Sequence, residues 1–532
     1  MTSPSPNPGT ARTRAATIAL ACAGVFVAYL PVVTVVVSLP AIQRALHATT
    51  AELTWVSDAF VLPVAALILT AGVFGDVHGR KKVYQVGLAL CAAGALLALC
   101  ARSVQMLWAG QALAGAGAAA LLPVTLALIS QAVPNHRERG KYIGLWTTCM
   151  MAAMAVPPLI AGVILEHFSW RYIFVLPIPV ALVTMVLAAR LLEESRAAGG
   201  RKLDWAGQAT AAVAITALIY GVIEGGASSF THPRTVAALI LAVVSGAAFV
   251  IVERRSSSPM LEPSLFRVPA FVASTVAALI SFLGLIGFFF VLSLYFGVVQ
   301  RLSTLESSAR MVLVNVVCMA LGFAMGHLMR RFSPRSLITA GLLIAAVAMW
   351  SLTFLSADTS FPSVAWRLCL LGLGLGLAFP CITGTAVAAV PHHRAGMAAA
   401  GNNAFRQVGG ALGPALLGAL LTMRVTETLP SRLAEAGVTG GQARQITQTA
   451  GAEGLGAVAG LDLGAHTGRA LGAVGEAFLD GMRLCLNVSA VSLALAAVAS
   501  CVLLRTRRPA AHTGGAPQED RATPVTAGDA LR

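Results

Sequence analysis

Fourteen runs of about 18 to 25 residues, nearly free of charge, take up most of this 532-residue chain. A helix needs about 20 apolar residues to cross the hydrocarbon layer of a bilayer. In lipid its backbone polar groups must be bonded within the segment. The chain therefore reads as an all-α integral membrane protein. Its runs lie near 16–40, 53–74, 83–101, 107–130, 142–164, 171–192, 205–224, 235–252, 271–297, 308–328, 336–356, 364–388, 398–422 and 478–503. The charged fraction is 11%, the hydrophobic fraction 57% and the mean hydropathy +0.79, whereas a soluble domain is roughly 25% charged.

The formal charge of +15 would suggest nucleic acid in a soluble protein. Here the basic residues sit in short loops between apolar runs, so membrane orientation accounts for them and no nucleic-acid partner is expected. The cysteines lie within or at the ends of apolar runs with no paired spacing, which reads as small apolar residues rather than disulfides or a metal site. No Gly-Lys-Ser/Thr phosphate loop is present, and no His, Asp or Ser cluster at helix ends suggests an enzyme. No cofactor is expected.

The runs repeat. Gly115-x-Gly117 followed by Pro123 returns 257 residues on as Gly372-x-Gly374 followed by Pro380. Pro158-x-x-x-Gly162 returns 256 residues on as Pro414-x-x-x-Gly418, and the loop from Gly72 has a degraded partner at Gly326. These pair runs 4 and 5 with runs 12 and 13. Two six-helix halves follow, runs 1–6 and 9–14, with runs 7 and 8 as an inserted hairpin. Repeated apolar bundles are how many secondary transporters are built, with the substrate between the halves.

The expected organisation is a disordered tail over 1–15, a first bundle over 16–194, the inserted pair with linkers over 195–268, a second bundle over 269–505 and a disordered tail over 506–532. The second bundle contains an external loop, 423–476, rich in Gly, Ala and Gln, with room for weak helix but no catalytic constellation. Basic residues such as Arg80, Lys81, Lys82, Arg137, Arg139, Lys141, Arg254, Arg255, Arg330 and Arg331 concentrate on the side of the N-terminus. By the positive-inside rule both termini of this multi-pass protein are cytoplasmic in the cell membrane. A cleaved signal peptide is not expected, because the first run is too long and lacks a small-residue cleavage site.

The loop after the second run reads Gly72-Val-Phe-Gly75-Asp76-Val-His-Gly79-Arg80-Lys81-Lys82. It resembles the Gly-x-x-x-Asp-x-x-Gly-Arg-Lys/Arg loop of the major facilitator superfamily. Trp55-Val-Ser-Asp58-Ala-Phe60, Ser169-Trp170-Arg171-Tyr172-Ile-Phe174, Leu203-Asp204-Trp205-Ala-Gly207 and Asn402-Asn403-Ala-Phe-Arg406-Gln407-Val-Gly409-Gly410 are similar to segments of its fourteen-helix drug:proton antiporter branch, the EmrB/QacA-type exporters. The resemblance runs from about 16 to 505. It implies the major facilitator fold, two pseudo-symmetric six-helix bundles plus an inserted two-helix hairpin. It also implies secondary active efflux of amphipathic small molecules by alternating access and proton antiport, with a monomer, protons and the bilayer as setting. The alternative is a facilitator or narrow-specificity metabolite exporter that has lost proton coupling.

Two departures bear on coupling. The acid that the branch carries in its first span is Pro31 here, and the Arg of its fourth span is Gln111. Losing one alone would strand a buried charge at a cost of several kcal/mol, while losing both is close to neutral. Asp58 is then the remaining acid that could face a central path and carry a proton, since burial favours a neutral carboxyl; the other reading is a hydrated residue at the outer interface. Arg406, with Asn402, Asn403 and Gln407, asks either for a cavity or partner or for a place as packing between helices. Tyr29, Thr34, Gln111 and Asn315 are further candidates for lining the path. Gly72, Gly75, Asp76, Gly79 and Arg80 form a candidate gating loop, in which Asp76 either latches the halves or only fixes packing. Pro157, Pro158 and Gly162, with Gly413, Pro414 and Gly418, are candidate kink and close-packing positions.

Overall fold

The computed structural model describes residues 8–46, 50–133, 136–196, 204–227, 229–391, 394–452 and 467–504. In order, the helices are α1 (Pro8–Leu46), α2 (Thr50–His78), α3 (Arg80–Leu99), α4 (Val104–Ala132), α5 (His136–His167), α6 (Pro177–Leu191), α7 (Trp205–Ala227) and α8 (Pro233–Arg255). They continue with α9 (Pro269–Leu294), α10 (Thr304–Arg331), α11 (Pro334–Leu352), α12 (Phe361–Ala388), α13 (Ala395–Glu435), α14 (Gly441–Ala452) and α15 (Thr467–Leu503). Among the described residues, 14 helical stretches are long and apolar enough to cross a membrane; α14 is not among them. Local chemistry marks several starts. Ser303 and Glu306 make a reciprocal capping box on α10, Ser103 and Ser333 cap α4 and α11, and proline opens α6, α8, α9, α11 and α12.

The sequence repeat is a repeat of contacts. A methyl group added at Gly115 would strike the Phe60 carbonyl on α2, and one at Gly117 would lie 2.6 Å from the Gly87 carbonyl on α3. In the second half, one at Gly372 would lie 2.6 Å from the Val314 carbonyl on α10, and one at Gly374 2.5 Å from the Ala345 amide on α11. Each Gly-x-Gly thus lets one helix meet two neighbours at backbone distance, one on each side. Without a solvent-driven force between helices in lipid, such close approach is what holds them. The Cys91 thiol on α3 donates to the Ala114 carbonyl on α4 and the Cys318 thiol on α10 to the Gly372 carbonyl on α12, which places two of the cysteines as packing residues at helix crossings.

Helices α1–α6 pack as one bundle, and α9–α13 with α15 as the other. They meet along two seams, α2 with α13 and α5 with α10. The equivalent glycines lie on these seams: Gly72 against Ala400 of α13, and Gly326 against Lys141 of α5. Helix α7 pairs with α8 and covers the α2–α13 seam. Trp205 approaches Phe74 at one end of this contact and Tyr220 approaches Trp55 at the other. The outer face of α8 carries Ile240, Val243 and Val244, all exposed, as lipid contact requires.

Two expectations are corrected. The stretch 423–476, read as an external loop, is largely helical where it is described: α13 continues to Glu435, α14 follows and α15 begins at Thr467. The cause is an apolar stripe at four-residue spacing, Leu421, Val425, Leu429 and Leu433, all buried. The stripe continues the helix past Pro430. The Arg432 guanidinium holds Asp480 at 2.7 Å, joining the extensions of α13 and α15. Residues 453–466 lie outside the described residues. The first tail is shorter than read, because α1 starts at Pro8, a residue suited to the first helical position, and Arg14 pairs with Glu138 at 2.6 Å. Residues 1–7 and the second tail lie outside the described residues.

Candidate functional site

Arg406 is the most deeply enclosed charge among the expected site residues, only 4% exposed. It sits on α13, part of the second half, and faces the first. Its guanidinium lies 5.2 Å from the ring centre of Trp146 on α5 and 4.9 Å from that of Phe282 on α9. It donates to the Asn403 side-chain oxygen one turn back. Its Nε and the Asn403 Nδ2 are sealed from solvent without an acceptor. The Trp146 indole N–H donates to the Thr125 hydroxyl on α4 at 3.1 Å, so the ring is held from behind. Gln407 donates to the Tyr29 hydroxyl on α1 at 3.2 Å, a second link between the halves. Asn402 instead turns toward α9 and donates to the Ser274 carbonyl.

Asp58 is elsewhere. Trp108 donates to the Glu52 carbonyl at 3.1 Å, and Gly115 abuts Phe60; these two α2–α4 crossings bracket Asp58 and set Gln111 at a similar depth. The Asp58 Oδ2 and Gln111 Oε1 are both enclosed without a hydrogen-bond partner. Measured along the helices from the Asp76–Gly396 contact, Asp58 stands about 27 Å up α2 and Arg406 about 15 Å up α13. The structure does not bring acid and base together. Thr34 is buried but bonds within α1, to the Leu30 and Pro31 carbonyls. Asn315 is 4% exposed on α10, and its Oδ1 has no partner.

The loop after α2 is held as a unit. Gly79 has φ +116°, a value that side chains resist, and a methyl group there would strike the Glu194 carboxylate. Arg80 pairs with Asp76 at 2.9 Å and reaches Gln131 on α4; its amide donates to the Ser195 carbonyl at 2.9 Å. Gly75 packs against Val124. The other Asp76 oxygen lies against Gly396, the second residue of α13. The first turn of α13 has no acidic residue and no side-chain cap of its own. Asp76 therefore supplies negative charge from one half to the positive end of a helix in the other. Asp76→Asn is expected to leave the amount of protein in the membrane unchanged and lower transport several-fold. Transport rate per folded molecule checks it; a wild-type rate would reduce Asp76 to a packing residue.

Pro157 and Pro158 are accommodated inside α5 and Pro414 inside α13. Gly162 packs on Leu305 of α10, Gly413 on the Leu283 carbonyl and Gly287 of α9, and Gly418 on the Phe290 ring. Sequence reasoning missed Trp146, Phe282 and Glu194. Each is unremarkable within its own segment and gains meaning only from what faces it across the bundle.

The family model described as Major Facilitator Superfamily matches residues 21–414. The chain belongs to the major facilitator superfamily. Over 515 residues it is 30% identical to a tetracenomycin C resistance and export protein of Streptomyces glaucescens, covering 96% of this chain and 95% of that one. It is 31% identical over 425 residues to the multidrug resistance protein Stp of Mycobacterium tuberculosis, covering 80% and 79%. Against the multidrug efflux pump LfrA of Mycolicibacterium smegmatis it is 31% identical over 385 residues, covering 72% and 76%. In fold it is similar to the human organic anion transporter MFSD10, with TM-score 0.62 and 12% identity over 92% of this chain and 99% of that one. This superfamily protein is a multi-pass membrane transporter, and its family is one of transporters rather than enzymes.

Proposed function

We propose that this protein exports amphipathic small molecules, antibiotics or other drug-like compounds, by rocking its two halves around a central site and exchanging protons inward. The observation that carries the reading is the placement of enclosed, partnerless polar groups at the seam of a repeated bundle, where a carrier presents its site to one side and then the other. Relatives whose names record resistance and export support the cargo class. The Asp76 contact with α13 supports alternating access, because it joins the halves at one end only and breaks if they rock apart. Basic residues in the loops on the N-terminal side support cytoplasmic termini, and a periplasm-active reporter fused after Arg508 is expected to stay silent.

A second reading has its own support. Pro31 and Gln111 stand where the resemblance leads one to expect a coupled acid and base, so a carrier without proton linkage is the competing mechanism. Reconstituted vesicles decide between them. Substrate-evoked proton movement, with accumulation that collapses when an ionophore dissipates the gradient, is the expected result; transport indifferent to the ionophore would select the uncoupled carrier.

A further inference from the structure

We propose that Arg406 and Asn403, set among the rings of Trp146 and Phe282, are the recognition site for the anionic oxygen of an aromatic acid. The proposal deepens the export reading by naming a cargo class, but the binding it describes stands apart from transport.

A guanidinium keeps its charge inside proteins, and an enclosed charge is costly unless something compensates it. Among the described residues no ion pair involves Arg406; the arginines that do pair with acids are Arg14, Arg80, Arg394, Arg424, Arg432 and Arg483. Asp58 lies about 12 Å away along the membrane normal by the helix rise. What surrounds Arg406 is two ring faces, one amide oxygen and the neutral Tyr29 hydroxyl, none of which carries a charge to balance it. The vacancies are both donors: the Arg406 Nε–H and the Asn403 Nδ2 group, three residues apart on one face of α13 and each on a side chain at least nine-tenths buried.

A donor-only vacancy beside a cation selects an anion. A carboxylate or phenolate oxygen satisfies the free N–H groups and neutralises the guanidinium together, and a carboxylate matches its planar fork. A cation would be repelled, and a neutral molecule would leave the charge as it is. The walls specify the remainder of the ligand. Trp146 and Phe282 present flat apolar faces beside the guanidinium, and Phe379 stands 5.1 Å from Phe282; such faces suit a ring attached to the acid. The site also spans both halves, since Trp146 belongs to the first bundle while Arg406, Asn403 and Phe282 belong to the second. An occupant there biases their relative position, as a carried substrate must. An anion moves outward down an inside-negative membrane potential, which suits a chain with Pro31 and Gln111 at its coupling positions.

The test is calorimetric titration of the full chain in lipid nanodiscs with 2-naphthoate and its methyl ester, which share a ring system and differ in charge. Wild type is expected to bind the acid about tenfold or more tightly than the ester. Arg406→Gln is expected to erase that preference while holding ester affinity within about twofold, which also reports an intact fold. Arg406→Lys keeps the charge without the fork and should fall between the two; if the Gln variant does not fold, the Lys variant carries the comparison. Equal binding of acid and ester by wild type, binding of neither, or a preference that survives both substitutions overturns the proposal. Vesicle efflux of the same pair separates the two readings: acid bound at Arg406 but neither compound exported would leave the site standing and remove the export reading.

Discussion

Asp58→Asn is expected to abolish accumulation of substrate against a gradient while leaving downhill exchange in place. An amide of nearly the same size preserves the packing of α2 against α4 but cannot titrate. The argument for this residue is one of position. Its Oδ2 is enclosed and partnerless, and Gln111, with an equally partnerless oxygen, lies at a similar depth on the neighbouring helix. A neutral carboxylic acid has a proton to donate to an acceptor oxygen, whereas a carboxylate can only accept, so the two forms ask for opposite orientations of a neighbouring amide. Loading and releasing that proton would therefore change the α2–α4 contact, close to the seam that α2 forms with α13. The measurement is proton movement on substrate addition in vesicles containing either form. A variant that still moves protons would place the coupling group elsewhere, and a wild type that moves none would select the uncoupled carrier.

Replacing Gly374 with leucine is expected to remove most folded protein from the membrane, and Gly117→Leu to do the same in the other half. At Gly374 the first added carbon alone would sit 2.5 Å from the Ala345 amide and 2.6 Å from the Gly341 carbonyl. Both obstacles are backbone, so the helices must separate. Overpacking of this kind costs about 3 kcal/mol or more when no side chain can yield, a large share of the stability of a typical folded domain. Gly246 on α8 is the control. Nothing lies within 4 Å of a carbon added there, and leucine should raise local helix stability by about 0.5 kcal/mol or more. Detergent-solubilised yield and melting temperature read all three. Loss at Gly246 equal to that at Gly374 would mean that general expression, not helix approach, governs the result.

These glycines also show how much of the fold is legible from one dimension. Hydrophobic length gives the number of spans, because bilayer thickness leaves a helix little choice. The repeat of Gly-x-Gly and Pro-x-x-x-Gly at nearly constant offset gives the two halves, because equivalent helix crossings need equivalent small residues. The charge bias of the loops suggests which way the chain faces. The stripe Leu421, Val425, Leu429 and Leu433 was legible too, but the Gly, Ala and Gln content of 423–476 argued for a loop; packing against α15 overrode that local signal.

The site was legible only in part. The sequence alone determined that Asp58, Gln111, Asn403 and Arg406 are polar residues within apolar runs, since any such residue must find a partner or a function in lipid. Which of them meet was decided by tertiary structure. Arg406 lies between Trp146 and Phe282, residues 260 and 124 positions earlier in the chain, and it lies far from Asp58. Asp76 pairs with Arg80 within its own loop, as its spacing allows, yet its contact with the start of α13 depends on how the halves close. Helix spacing reports which residues share a face. It carries no information about which face of another helix, hundreds of residues away, will lie opposite, because that is set by the summed packing of the whole bundle.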